Sequence, residues 1–152
     1  MKDLAAYHYT ESGLDDIWLA NGFRFVETSR GRGVSIDNID GLHEAIGSIL
    51  AQGARPLTGK EIRFLRNEMD LSQSLLASLI GVDGQTVARW EKGQCSAPGP
   101  AERLLRAMYL ESLSVESRVR TLLNDLSKLD TAMDANDMLL EISDDEWQPV
   151  AA

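Results

Sequence analysis

The sequence predicts a mainly α protein: a run of five helices over residues 58–130, preceded by a small α+β module at residues 1–57 and followed by an acidic tail at residues 131–152. Three observations predict it. From Thr58 to Leu129 apolar residues recur at spacings of three and four almost without pause, the period of helices that bury one face. Thr58, Ser72, Asp83 and Ser114 stand where helix N-caps are needed. Upstream of Gly53-Ala54-Arg55-Pro56, short alternating runs are punctuated by glycine, which is the pattern of strands and turns.

In the module, Ile17 to Leu19 is a short apolar stretch, Asn21-Gly22 is a turn signal, and Phe23, Phe25 and Glu27 alternate. Together they predict a hairpin across Asn21-Gly22. Ser29-Arg30-Gly31-Arg32-Gly33 marks a second turn and Val34-Ser35-Ile36 alternates again, so a small antiparallel meander is expected. Asp40 is the expected cap of a helix running to Gln52, with Leu42, Ala45, Ile46, Ile49 and Leu50 on one face. The Gly53 to Pro56 stretch ends that helix and is read as the domain junction.

The helical region opens with Thr58-Gly-Lys-Glu61, a capping box in which the hydroxyl and the carboxylate each satisfy the other's orphaned amide. A helix through Met69 follows. Ser72 is expected to cap Gln73–Ile80 and Asp83 to cap residues 84–92, closed by Gly93. A loop with Pro98 and Pro100 leads to a fourth helix over 101–113, and Ser114 heads a fifth to Leu129. MLLEI at Met138 to Ile142, with Trp147, is read as a possible edge strand in an otherwise loose tail.

Composition bounds the function. With 43% apolar and 26% charged residues in a 152-residue chain, a sizeable core is possible. No apolar run reaches the roughly 18 residues of a membrane span, and the first residues lack the apolar stretch of a signal peptide, so a cytoplasmic protein without membrane contact is expected. The single Cys95 excludes an internal disulfide, and with only His8 and His43 beside it no soft metal cage is expected. No cofactor is implied. The net charge of −9 argues against nucleic acid, whose affinity rests largely on neutralised phosphates. The charge is uneven, however. Residues 58–109 carry 7 basic and 6 acidic groups, against 5 and 8 in residues 1–57 and 3 and 10 in residues 110–152. The central segment alone is not acidic.

That segment holds the constellation that carries function. Between Ser72 and Gly93, Ala77 is small where two helices approach closely, Gly81 permits a left-handed turn, and Val87 anchors the next helix, with Leu76, Ile80, Val82 and Trp90 completing the buried face. Three such constraints within eleven residues define a helix-turn-helix better than an ordinary helical hairpin. If Leu76, Val87 and Trp90 face inward, Gln85, Thr86 and Arg89 face outward, and Gln85 and Arg89 lie one turn apart. Glutamine suits the N6 and N7 edge of adenine and arginine the O6 and N7 edge of guanine. Thr86 is placed to reach a thymine methyl or a phosphate. Ser72, Gln73 and Lys92 are expected on the phosphate backbone.

The stretch LSQSLLASLIGVDGQTVARWEKG resembles the Cro/C1-type (XRE) helix-turn-helix over about residues 58–109. Within that family, LTGKEIRFLRNEMDLSQ and PGPAERLLRAMYLE are similar to the DNA-binding half of MqsA/YgiT-type antitoxins, which repress their own toxin–antitoxin operons. The resemblance implies that Gln85 and Arg89 read bases and that Gln73 and Lys92 contact phosphates. It also implies a departure: those antitoxins carry a zinc domain with paired CxxC motifs, and residues 1–57 contain no cysteine. Glu91 is expected in a salt bridge inside the protein, to Arg63 or Arg66.

Other features have two readings each. The helix from Ser114 to Leu129 either packs on the helices before it or forms the seam of a homodimer, which a helix-turn-helix needs to grip a palindromic operator in double-stranded DNA. The turn at Ser29 to Gly33 is a solvated hairpin tip or a basic finger on DNA. His8, Glu11, Asp15 and Asp16 invite a catalytic reading, but adjacent solvated aspartates do not split their pKa values, and no enzyme is expected. Tyr7, Tyr9, Trp18, Phe23 and Phe25 suffice for a core or an interface. The expected function is a sequence-specific DNA-binding transcriptional regulator, a dimeric repressor of its own operon. The alternative is an antitoxin that neutralises a toxin by protein binding.

Overall fold

The computed structural model describes residues 5–113 and 137–150. The chain forms two compact units, residues 1–45 with 135–152, and residues 46–134. The first is built on strands. β1 (Tyr7–His8), β2 (Ile17–Leu19), β3 (Phe23–Thr28) and β4 (Gly31–Ile36) precede α1 (Ile39–Gln52), whose first turns belong to this unit. β5 (Met138–Ser143) and β6 (Glu146–Pro149) return from the far end of the sequence. They make a four-stranded sheet in the order β1-β2-β5-β6, beside a separate β3-β4 ribbon. With six strands beside its helices among the described residues the fold is mixed α and β, a correction to the mainly α expectation.

The expected hairpin across Asn21-Gly22 does not form. β2 runs parallel to β5, with Ile17 opposite Met138 and Leu19 opposite Leu140, and β3 pairs only with β4. The reason is burial. Ile17 and Leu19 are buried, and β5 supplies the matching Met138 and Leu140, both buried as well. A parallel partner so distant leaves no turn signal in the sequence. Gly22 keeps a positive φ of 77°, turning the chain from one sheet to the other against the Trp147 ring, where a Cβ would collide. Residues 138–149 are therefore sheet rather than loose acidic tail, and β5 is interior rather than an edge. The second turn is as expected: Ser29-Arg30 link paired Thr28 and Gly31.

Asp40 does not cap α1. The Asn38 side chain accepts from the Gly41 amide at 3.2 Å, placing Asp40 in the first turn, where its charge still suits the helix dipole.

In the second unit the end of α1 is followed by α2 (Gly59–Glu68), α3 (Gln73–Ile80), α4 (Gly84–Glu91) and α5 (Gly99–Leu113). Ile46, Leu50, Ile62, Leu65, Leu76, Val87, Leu105 and Tyr109 form its core. The expected junction at Gly53 to Pro56 is displaced into α1. Buried Arg106 donates to the carbonyls of Leu50 (2.8 Å) in the last turn of α1 and of Gly53 and Arg55 (2.6 Å) just beyond it, and pairs with Glu102 at 2.6 Å. The Tyr109 ring covers Gly47, where any side chain would collide with it. α5 starts two residues before Ala101, because Pro100 is tolerated in a first helical turn. The fifth helix expected from Ser114 to Leu129 lies outside the described residues.

Candidate nucleic-acid interface

Each helix of the site is started by a side chain close in sequence. Thr58 Oγ1 accepts from the Glu61 amide at 3.2 Å, and Glu61 Oε1 accepts from the Thr58 amide at 2.8 Å, completing the capping box. Ser72 Oγ accepts from the Leu75 amide at 3.0 Å and Asp83 Oδ1 from the Thr86 amide at 2.8 Å. Caps of the Ser72 kind contribute about 1 kcal/mol each. Between α3 and α4, Gly81 takes φ 93° and returns its amide to the Ala77 carbonyl at 2.8 Å, which sets the tight turn. Ala77, Val87 and Trp90 are buried, so α4 is held by one face.

A polar lock fixes the other end of α4. Glu91 Oε2 accepts from Arg66 Nε at 2.6 Å, and Oε1 accepts from Arg66 Nη2 and from Gln73 Nε2, each at 3.0 Å. Arg66 Nη1 also donates to the Leu71 carbonyl at 2.8 Å. One buried guanidinium thus ties together α2, the α2–α3 turn and α4. The Arg66 partner for Glu91 is the one of the two expected. Gly59 shows a constraint that sequence reasoning missed: its Cα faces the Trp90 and Glu91 carbonyls so closely that a Cβ would collide with them. The only sign of it in the sequence is a glycine at the second position of a capping box.

The face left outward contains Gln85 and Arg89, both exposed and one turn apart, with Lys92 exposed just beyond the helix. Thr86 is half-buried, and its hydroxyl donates to Asp83 Oδ1 at 3.0 Å. That bond uses the hydroxyl hydrogen, so Thr86 keeps its methyl and the acceptor side of its oxygen for another partner. Ser72 is exposed but its Oγ serves as the α3 cap. Gln73 gives one amide hydrogen to Glu91 and keeps its second N–H for another acceptor. The structure therefore brings Gln85, Arg89 and Lys92 together as an open polar edge, with Thr86, Ser72 and Gln73 partly engaged in building the helices.

The residues near the N-terminus that invite a catalytic reading are engaged in local contacts. His8 stacks on Trp18 with ring centroids 4.1 Å apart and bonds the Asp15 carbonyl, while Glu11 accepts from the Tyr7 hydroxyl. Among the described residues no three His, Cys, Asp or Glu side chains stand together as metal ligands.

Two short helices joined by a left-handed glycine, with a polar face on the second, define a helix-turn-helix, the architecture that lays one helix in a major groove. The comparison with protein families agrees. Residues 62–108 match the model of the Helix-turn-helix family, in less than half of the chain. The matched model is that of the Cro/C1-type (XRE) helix-turn-helix, and the match supports a DNA-binding transcription regulator. No curated protein and no solved structure matches the chain. No helix among the described residues is long and apolar enough to cross a membrane.

Proposed function

We propose that the protein is a dimeric, sequence-specific repressor that binds a palindromic operator and regulates its own operon. Gln85 and Arg89 read base edges, the Thr86 methyl packs on a base, and Lys92 with the α3 N-terminus at Ser72 and Gln73 contacts phosphates. The carrying observation is that Gln85 and Arg89 stand exposed one turn apart on a helix whose opposite face is buried and whose end is locked by Arg66 and Glu91. A rigid helix with two bidentate-capable side chains discriminates between base pairs by about 1 to 3 kcal/mol per good pair. Dimerisation follows from the few base pairs one such helix spans; a two-fold dimer sets two of them about 34 Å apart. No catalytic role is assigned. Footprinting on the protein's own promoter, with a reporter fused to it, tests the reading. Protection of an inverted repeat with reporter repression supports it, and an unprotected promoter would contradict it.

One observation favours a second reading, an antitoxin of the MqsA/YgiT kind without its zinc domain. The strand-based unit carries 13 acidic against 4 basic residues, a surface suited to a basic protein. Titration with the product of the neighbouring reading frame separates the two: tight binding that inhibits a toxic activity makes repression the secondary role.

A further inference from the structure

The β3-β4 ribbon is, among the described residues, the one strand pair that the four-stranded sheet does not absorb, and its charge is opposite to that of the unit around it. Paired residues of an antiparallel ribbon share a face. One face holds Phe23, Phe25 and Glu27 opposite Ile36, Val34 and Arg32, and Tyr7 packs on it with ring centroids 5.4 Å from Phe23 and 6.1 Å from Phe25. The other face holds Arg24, Val26 and Thr28 opposite Ser35, Gly33 and Gly31. Most of it is small side chains and bare backbone. Val26 is 40% exposed and the Arg24 side chain 73%, with only a loose 3.6 Å approach to Asp37.

Charge decides what such a ribbon fits, with Arg24 on one face, Arg32 on the other and Arg30 at the tip. Residues 23–36 carry Arg24, Arg30 and Arg32 against Glu27 alone, within a unit otherwise dense in carboxylates. Arg30 sits in the turn, and Arg32 lies 4.0 Å over the Phe25 ring, so the most exposed aromatic of the ribbon is covered by a cation. Neither Arg30 nor Arg32 makes an ion pair among the described residues. A flat apolar protein contact would leave these cations to be desolvated without partners, a large cost. A polyanion would satisfy them. A two-stranded ribbon is also one of the two shapes that a DNA groove of about 12 Å admits.

We infer that the β3-β4 ribbon is a second DNA-contacting element, in which Arg24, Arg30 and Arg32 hold phosphates of the duplex bound by the same molecule. The inference rests on the helix-turn-helix binding DNA, since that attachment gives the ribbon a high effective concentration of duplex. Its contribution is to affinity and salt dependence, with no change in base preference, because phosphate contacts carry no sequence information.

The test uses the full chain and duplexes selected by it from a random pool. Arg30→Gln/Arg32→Gln is expected to lower the slope of log affinity against log salt by about two. Correspondingly, the affinity ratio of wild type to variant is about tenfold larger at 50 mM than at 200 mM salt. The selected consensus is unchanged, and Arg30→Lys/Arg32→Lys restores most of the slope. Both sites are exposed, and circular dichroism of each variant confirms the fold. Equal slope and affinity for wild type and the glutamine variant would overturn the ribbon contact while leaving the helix-turn-helix reading intact, and would make an acidic protein surface the ribbon's partner. No selected consensus from the wild-type chain would instead overturn the reading on which the inference rests.

Discussion

In the helical unit Thr58, Ser72 and Asp83 each cap an amide three residues on, and the longest bond of the α4 lock, Arg66 to Glu91, joins residues 25 apart. In the strand-based unit Ile17 lies beside Met138, Trp18 Nε1 bonds Asp137 across 119 residues, and Asn38 bonds the Asp145 carbonyl across 107. Short-range contacts reward ordering at once, whereas long-range ones must first overcome the entropy of closing a large loop. The helix-turn-helix is thus specified locally and the module by the meeting of its ends.

The comparison breaks most readily at its two buried anchors. Glu91→Ala leaves Arg66 buried without its partner, and is expected to cost about 3 to 5 kcal/mol of stability in urea unfolding followed by the helical circular dichroism signal. If the loss is under 1 kcal/mol, the lock does not hold α4. In the module, Leu140→Ala removes a fully buried side chain from β5 and is expected to cost about 2 to 5 kcal/mol. Hydrogen exchange sharpens the contrast: the Leu140 variant should expose the amides of β2, the other strand of its pair, far more than those of α4. Equal loss of protection in both would show that the two units do not differ in what holds them.

Smaller effects are expected on the DNA face. Arg89→Ala should weaken the cognate duplex by about 1 to 3 kcal/mol and relax preference at one base pair, whereas Lys92→Ala should weaken all duplexes alike and reduce the salt slope by about one.

The smallest effects are those of pH. Asp83 is held below the ordinary carboxylate range by the Thr86 amide first and the Thr86 hydroxyl second. A carboxylate with a lowered folded pKa stabilises fully above its unfolded pKa, and that stability is lost as the pH falls through the folded value. Acid should therefore fray the start of α4, seen as faster exchange of the Thr86 amide below the ordinary carboxylate range, and Asp83→Asn should flatten the dependence. Tyr7 is pushed up to about 12, by burial first and then by its bond to Glu11. Its contribution is complete below the unfolded value near 10 and is lost as pH rises through 12, so the difference between the absorbance titrations of wild type and Tyr7→Phe should show the ionisation of Tyr7 late.

What the sequence discloses follows the same divide. The capping box, the Ser72 and Asp83 caps and the left-handed Gly81 are legible because each is a local demand on residue type. The Asn21-Gly22 signal misleads because a turn constrains only itself, and burial of Ile17 and Leu19 selects a partner more than a hundred residues away. MLLEI looks like an edge strand for the same reason: its neighbours on both sides are supplied by the fold. At the site, outward-facing Gln85 and Arg89 are readable from periodicity. The use of the Thr86 hydroxyl by Asp83 and of the Gln73 amide by Glu91 is not, since both depend on rotamers and distances.

The central claim is that α4 reads DNA through Gln85 and Arg89. Selection of duplexes from a random pool, run in parallel with the wild-type chain and with Arg89→Ala, tests it most directly. The account predicts an inverted-repeat consensus for the wild type, with one position per half-site losing its preference in the variant. Identical consensus and affinity for the two proteins would contradict it.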